Sequence, residues 1–328
     1  MITTVIGNYP KIPDLPAPGR WRSAVEKFQK GQIDEAALRA VEDEVTLEVI
    51  REQVEAGIDL ITDGQIRWED GQTPFARRLR GFSINGLQRY FDTNVYFREP
   101  VVEGEVVWEA PITVADYTFA RAHSPRPVKP VVTGPFTLAA LSRNTYYPTF
   151  RDLVLALARA LNAELRALAA AGAEVIQVDE PALLRRRPDY PVFAEAMGVL
   201  TDGVQGTLVL ATYFGDVGGL YPQMLELPFA VLGLDFVAGH RNWDLLETAP
   251  FTKGLMAGIL DARNTRLETA EEIVAAVERL TRIVPPERLM VAPSAGLEFL
   301  PRGVARRKLA ALAEGVAAAR RAGKGVPA

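Results

Sequence analysis

The chain has 328 residues, 48% of them hydrophobic and 24% charged, with a net charge of -4 and no cysteine. That length and apolar content suit a soluble globular fold with a substantial core, and they bound the chain to one large domain or two ordinary ones. The charge gives no electrostatic reason to expect nucleic acid or an anionic membrane as partner. The missing cysteines exclude disulfides, a thiol nucleophile and thiolate metal ligands.

In chain order, short β-branched runs alternate with long amphipathic stretches. The predicted strands are 3–6, 58–62, 130–132, 174–178, 207–211, 229–234, 254–260 and 288–292, each short and apolar on both faces. About eight such strands separated by helices predict a (β/α)8 TIM barrel, an α/β fold, as a single domain over 1–328. Helices are expected over 33–56, 151–171, 269–283 and 302–322. The first, second and fourth stop at glycines 57, 172 and 323, and the third has acids Glu271 and Glu272 in its first turn.

One stretch breaks the rhythm. Residues 89–110 alternate polar and apolar and carry Glu103-Gly104. This predicts a β-hairpin inserted between barrel strands two and three, with its turn at Glu103-Gly104. It could wall the site or merely pack. Residues 10–18 form a proline-rich loop within the first βα connection, and the tail 324–328 is expected to fray. No basic stretch leads into a long apolar run, so a cytoplasmic location is expected.

Barrels of this kind place their sites at the C-terminal strand ends. The residues expected there to contact a small-molecule ligand are Asn8, Tyr9, Asp63, Gln65, Trp68, Thr133, Tyr213 and Ser294. Asp179, Glu180, Asp235, Asp261 and Arg263 are the candidates for catalysis, since converging carboxylates can bind an ammonium group, hold a hard cation or act as acid and base. Each could equally cap a helix or pair with arginine. Asp179-Glu180-Pro181, directly after an apolar run, is the sharpest motif. His123 reads as a surface residue, and His240 could reach the rim but reads more simply as structural. Neither has the spacing of a metal pair.

The segments 176–183 (IQVDEPAL), 132–137 (VTGPFT), 57–64 (GIDLITDG) and 292–294 (APS) resemble those of the cobalamin-independent methionine synthase family. The resemblance runs from about Ile6 to Pro301. In that family the full-length enzyme has two related barrels. The C-terminal one carries zinc and homocysteine, and the N-terminal one is a diverged copy without zinc ligands that contributes to folate binding. Segments 26–31 (EKFQKG), 89–96 (RYFDTNVY), 210–215 (LATYFG), 234–237 (LDFV) and 261–264 (DARN) resemble the N-terminal copy more closely.

The resemblance places Leu210, Thr212, Asp235 and Ala295 at the zinc-ligand positions, so zinc is not expected. Arg263 stands where a histidine assists methyl transfer, and Gln65 where a glutamate contacts homocysteine. Asp179 matches an aspartate that contacts the amino acid. Arg20 and Arg22 fall in the folate-contacting segment and could pair with glutamyl carboxylates or equally serve a structural role at a helix start. Three functions remain open. The first is a barrel of one-carbon and methionine metabolism that binds a folate, a methyl carrier or a separate zinc-bearing catalytic barrel, and does not methylate homocysteine alone. The second is an acid/base enzyme acting on a small amino acid or organic acid. The third is a non-catalytic interaction protein with a sealed rim.

Overall fold

The computed structural model describes residues 1–13 and 19–324. Residues 14–18 of the proline-rich loop and 325–328 of the tail lie outside the described residues. The strands are β1 (Ile2–Thr3), β2 (Leu79–Arg89), β3 (Tyr96–Trp108), β4 (Val131–Thr133), β5 (Arg143–Asn144), β6 (Val175–Asp179), β7 (Thr207–Ala211), β8 (Val231–Asp235), β9 (Gly254–Leu260) and β10 (Leu289–Pro293). The α-helices are α1 (Arg20–Gln29), α2 (Glu35–Glu55), α3 (Thr73–Arg78), α4 (Val114–His123), α5 (Pro135–Ala140), α6 (Phe150–Ala170), α7 (Tyr190–Thr201), α8 (Asn242–Leu245), α9 (Ala270–Thr281) and α10 (Arg302–Lys324).

Seven strands form one parallel, curled sheet in the order β1-β10-β9-β8-β7-β6-β4. The predicted strand at 58–62 is not a ladder of its own. It meets the two edges of the sheet through single parallel bridges, Thr4 to Leu60 and Ile61 to Val128. Two local features account for this. Pro127 withdraws a backbone donor on one side. On the other, the Asp59 carboxylate takes the Thr3 amide at 2.9 Å in place of a carbonyl.

The helices start and stop where side chains dictate. Asp34 accepts from the Ala37 amide at 2.8 Å to open α2, and Thr149 accepts from Asp152 at 3.1 Å to open α6. Thr269 and Glu272 form a reciprocal capping box on α9. Gly57 and Gly172 follow α2 and α6 with φ of +85° and +90°, the left-handed conformation that ends a helix. The core lies between these helices and the sheet and fills the sheet's concave side. Among the described residues no helix is long and apolar enough to cross a membrane.

Between Ile61 and β4 the chain forms an antiparallel pair, β2 with β3, to which β5 adds in parallel. The expected turn at Glu103-Gly104 is a correction: β3 runs straight through it, and the reversal lies at residues 90–95. Gly104 is there for close approach instead. It faces Gly81 (φ +95°), where a Cβ would come within 2.5 Å of the Glu105 carbonyl oxygen, and the register shifts at this point. The actual turn is built by Thr93, whose hydroxyl donates to the Tyr90 carbonyl at 2.6 Å, and by Phe91 at φ +49°.

One buried carboxylate fastens this sheet to the body. Glu164 of α6 accepts from Trp108 Nε1 (2.8 Å), the amides of Ile112 (2.8 Å) and Thr113 (2.7 Å) and the Thr113 hydroxyl (2.8 Å). Glu164→Ala strands those donors and is expected to cost about 3 kcal/mol. Urea unfolding monitored by tryptophan fluorescence checks it; an unchanged midpoint would refute the clasp.

Candidate functional site

At the C-terminal end of the curled sheet lies a cavity of about 730 Å³. Its floor is set by strand ends and the loops that follow them: Asn8 and Tyr9 after β1, Gln65 and Trp68 after residues 58–62, Thr133 at the end of β4, Asp179 at the end of β6, and Tyr213 after β7. These seven predicted residues come together. The 90–95 turn adds Tyr90 and Val95, β3 adds Phe97, α1 adds Trp21, and the segment before α10 adds Glu298. The β2–β3 pair therefore forms a wall of the cavity.

Asp179 is the best-placed acid. Its Oδ1 accepts from Gln177 Nε2 at 2.7 Å and its Oδ2 from the Tyr213 hydroxyl at 3.2 Å. Burial raises its pKa to about 7, against the pull of Gln177, Lys129 and Tyr213. Tyr213 lies 3.5 Å, oxygen to oxygen, from Tyr90. Sequence reasoning missed two partners facing the same cavity. Lys11 donates to the Trp68 carbonyl, lies 4.8 Å from the Trp21 ring centre and is lowered by burial to about 8. Glu298 is raised by burial to about 8, and its Oε2 is buried without a hydrogen-bond partner. Both sit in stretches that lack a strand-end motif, which is why they escaped notice.

The other predicted residues go elsewhere. Glu180 turns away from the cavity and accepts from the Phe136 and Thr137 amides (2.9 and 2.7 Å) and the Thr137 hydroxyl (2.6 Å), closing the start of α5. Asp235 accepts from the amides of Phe214 (3.0 Å), Val237 (2.8 Å) and Ala238 (2.9 Å), which shapes two loops. Asp63 accepts from the Gln65 amide at 3.1 Å and holds that residue at φ +53°. Asp261 accepts from the Arg263 amide, and the Arg263 guanidinium lies over the rings of Phe214 and Phe299. Ser294 accepts from the Ala262 amide.

Arg20 pairs with Glu44 and Glu48, and Arg22 with Glu26, on the outside of α1 and α2. His123 and His240 are exposed and line no part of the cavity. At the remaining positions matched to zinc ligands, Leu210 and Ala295 are buried and have no donor side chain, and the Thr212 hydroxyl donates to the Gly233 carbonyl. Among the described residues no cluster of three or more histidine, aspartate or glutamate side chains could hold a metal ion.

A second cavity, of about 660 Å³, lies behind the first and shares Trp21, Trp68 and Glu69 with it. Four of the arginines around it are Arg39, Arg67, Arg78 and Arg98. Arg39 and Arg67 are ion-paired with Asp116. Among the described residues the side chains of Arg78 and Arg98 have no ion pair within 4 Å.

The buried acids fix a pH dependence. Asp179 (about 7), Glu180 (about 8) and Glu298 (about 8) hold protons more tightly folded than unfolded. Their stabilising contribution is complete below the ordinary carboxylate range and is lost as pH rises through 7 to 8. Lys11 (about 8) and Lys129 (about 7) are lowered, so the folded state gains again as pH climbs from there toward their ordinary value of 10.5. Tm should pass through a minimum near pH 8, and Asp179→Asn should flatten the acidic limb. A Tm profile identical in that variant would refute the assignment.

The sequence model described as "Cobalamin-independent synthase, Catalytic domain" matches residues 1–320. The chain is 33% identical over 315 residues to a protein named methionine synthase of Saccharolobus solfataricus, covering 95% of this chain and 93% of that one. It is 32% identical over 317 residues to another of that name from Sulfurisphaera tokodaii, at 95% and 90% coverage. In fold it is similar to a B12-independent methionine synthase from Shewanella sp. W3-18-1 solved in complex with selenomethionine, with a TM-score of 0.86, 22% identity and 99% of both chains covered. A putative vitamin-B12-independent methionine synthase from Listeria monocytogenes follows, with a TM-score of 0.75, 18% identity and 98% and 99% coverage. By sequence and by fold, the chain belongs to the cobalamin-independent methionine synthase family.

Proposed function

We propose that this chain is a zinc-independent member of the family, serving one-carbon and methionine metabolism by holding a folate or other methyl carrier. Homocysteine methylation then requires a separate zinc-bearing catalytic barrel. In this reading Leu60–Ile61 completes an eight-stranded barrel around the cavity, with the β2–β3 pair as an insertion, and the chain is one domain. The observation that carries it is the pairing of an aromatic-walled cavity that keeps Asp179 with matched zinc-ligand positions of which two, Leu210 and Ala295, have no donor side chain. Zinc would hold homocysteine as a thiolate at neutral pH. Here Leu210 and Ala295 lack a donor, and Asp235 is already engaged by three amides.

The cavity suits a flat, partly polar ligand such as a pterin. Trp21, Trp68, Tyr90 and Tyr213 offer ring faces, while Asp179 and Thr133 offer polar atoms at the floor. Glutamyl carboxylates of a folate would find Arg78 and Arg98 in the adjoining cavity, unlike Arg20 and Arg22, which already face glutamates. A sealed, non-binding rim does not agree with a cavity of this size.

A second reading, an acid/base enzyme for a small organic or amino acid, is favoured by one feature. Asp179, Glu298 and Lys11 face one cavity with pKa values of about 7, 8 and 8.

The deciding experiment measures binding of methyl-tetrahydrofolate and methionine formation from homocysteine, with the chain alone and with a separately produced zinc-bearing family barrel. Saturable binding, no turnover alone and faster turnover in the mixture are expected. Turnover by the chain alone would overturn the reading, and no binding would favour the acid/base alternative. Arg98→Ala should weaken methyl-tetrahydrofolate about tenfold, roughly 1.4 kcal/mol; unchanged affinity would remove the arginines from the site.

A further inference from the structure

Lys129 is fully buried on the concave side of the sheet, just before β4. Among the described residues no carboxylate lies within 4 Å of its ammonium. Its hydrogen-bond partners are Gln177 Oε1 and, at 3.5 Å, the Met256 sulfur. Gln177 in turn spends both amide hydrogens, one on the Ile6 carbonyl at 2.6 Å and one on Asp179 Oδ1 at 2.7 Å.

An ammonium can only donate, so it can face only the oxygen of the Gln177 amide. That fixes the amide. Turned over, it would set Oε1 against both Asp179 Oδ1 and the Ile6 carbonyl and present NH2 to NH3+. With the amide fixed, Asp179 Oδ1 is held from below. Oδ2 is left with the single Tyr213 donor at the cavity. A buried charge without a direct counter-ion is costly, and burial lowers Lys129 to about 7; the carboxylate one amide away pulls the other way.

We propose that Lys129 is a positioning residue for Asp179: acting through the Gln177 amide, its ammonium sets which carboxylate oxygen faces the cavity and supplies the charge that balances it. The ligand-binding role of Asp179 belongs to the function proposed above; the coupling itself does not depend on it. The other titratable groups around Asp179 are Tyr213 and Tyr90 beside it, Glu180 turned toward α5, and Glu298 and Lys11 at the same cavity. Burial lowers the proton affinity of Lys129, and Asp179 is the charged group that raises it.

The test is a ligand-free titration. Carboxyl-labelled aspartate in the full chain gives the Asp179 midpoint by 13C NMR, with Asp179→Asn identifying its signal. Nζ-labelled lysine gives the Lys129 midpoint by 15N NMR, with Lys129→Met identifying that one. In Lys129→Met the Asp179 midpoint should rise by about one pH unit or more, a tenfold gain in proton affinity. In Asp179→Asn the Lys129 midpoint should fall, because the coupling is reciprocal. Midpoints that stay in place in both variants would overturn the proposal. If Lys129→Met does not fold, the Asp179→Asn arm decides alone, a fallen Lys129 midpoint supporting the proposal and an unmoved one overturning it. The pH profile of methyl-tetrahydrofolate affinity then separates the two readings. Coupled midpoints with an unshifted affinity profile in Lys129→Met would leave Lys129 in its role and remove Asp179 from the ligand.

Discussion

Side chains alternate across a strand, so two consecutive acids at the end of β6 must face opposite ways. Asp179 points into the concave side of the sheet and reaches the cavity. Glu180 points outward and ties the start of α5. The same alternation puts Gln177 beneath Asp179, where it can link the carboxylate to Lys129 and to Ile6 across the sheet. The geometry of the cavity floor follows from this one strand. Its neighbours pair with it residue for residue, Thr133 opposite Asp179 on one side and Ala211 on the other. The strand that carries the acid thus also sets the height of the residues around it.

At the positions that the family resemblance matches to zinc ligands, the polar side chains are engaged in other bonds. Asp235 keeps its acid but spends it on three loop amides, and Thr212 bonds back to the strand beside it. Such positions are polar for structural reasons. Polarity at the rim is therefore a weaker sign of chemistry than a polar atom left without a partner, such as Glu298 Oε2.

The sequence made the parallel strands legible because each is short, apolar on both faces and punctuated by turn residues; β7 and β9 fall at the expected limits. The strand at 58–62 was harder, since its pairing is decided by a proline on a neighbour and by the Asp59 side chain. The turn at Glu103-Gly104 misled because a glycine marks a tight backbone approach as often as a reversal, and only Gly81 across the ladder tells them apart. Seven of the expected cavity residues converge. The acids that do not are those whose carboxylates lie within reach of successive backbone amides, a fact of the fold invisible in the spacing. Lys129 was passed over because a lysine between two prolines reads as exposed loop, and its burial depends on Gln177 and Met256, far along the chain.

The first loop after β1 is bolted to the far end of the chain. The Tyr9 hydroxyl donates to Glu52 at 2.9 Å, Glu52 takes the Arg302 guanidinium at 3.1 Å, and the Asn8 carbonyl accepts from the Leu297 amide at 2.8 Å. On the ribosome, the earliest residues of this cavity are made long before their C-terminal partners exist. Tyr9 can meet Glu52 and Gly64 early, but Asn8 lacks its Leu297 partner and Glu52 lacks Arg302 until residues 297–302 have left the exit tunnel. A truncation before that point would leave a chain with most of its sheet and no finished cavity, and with the apolar rings of that cavity open to water.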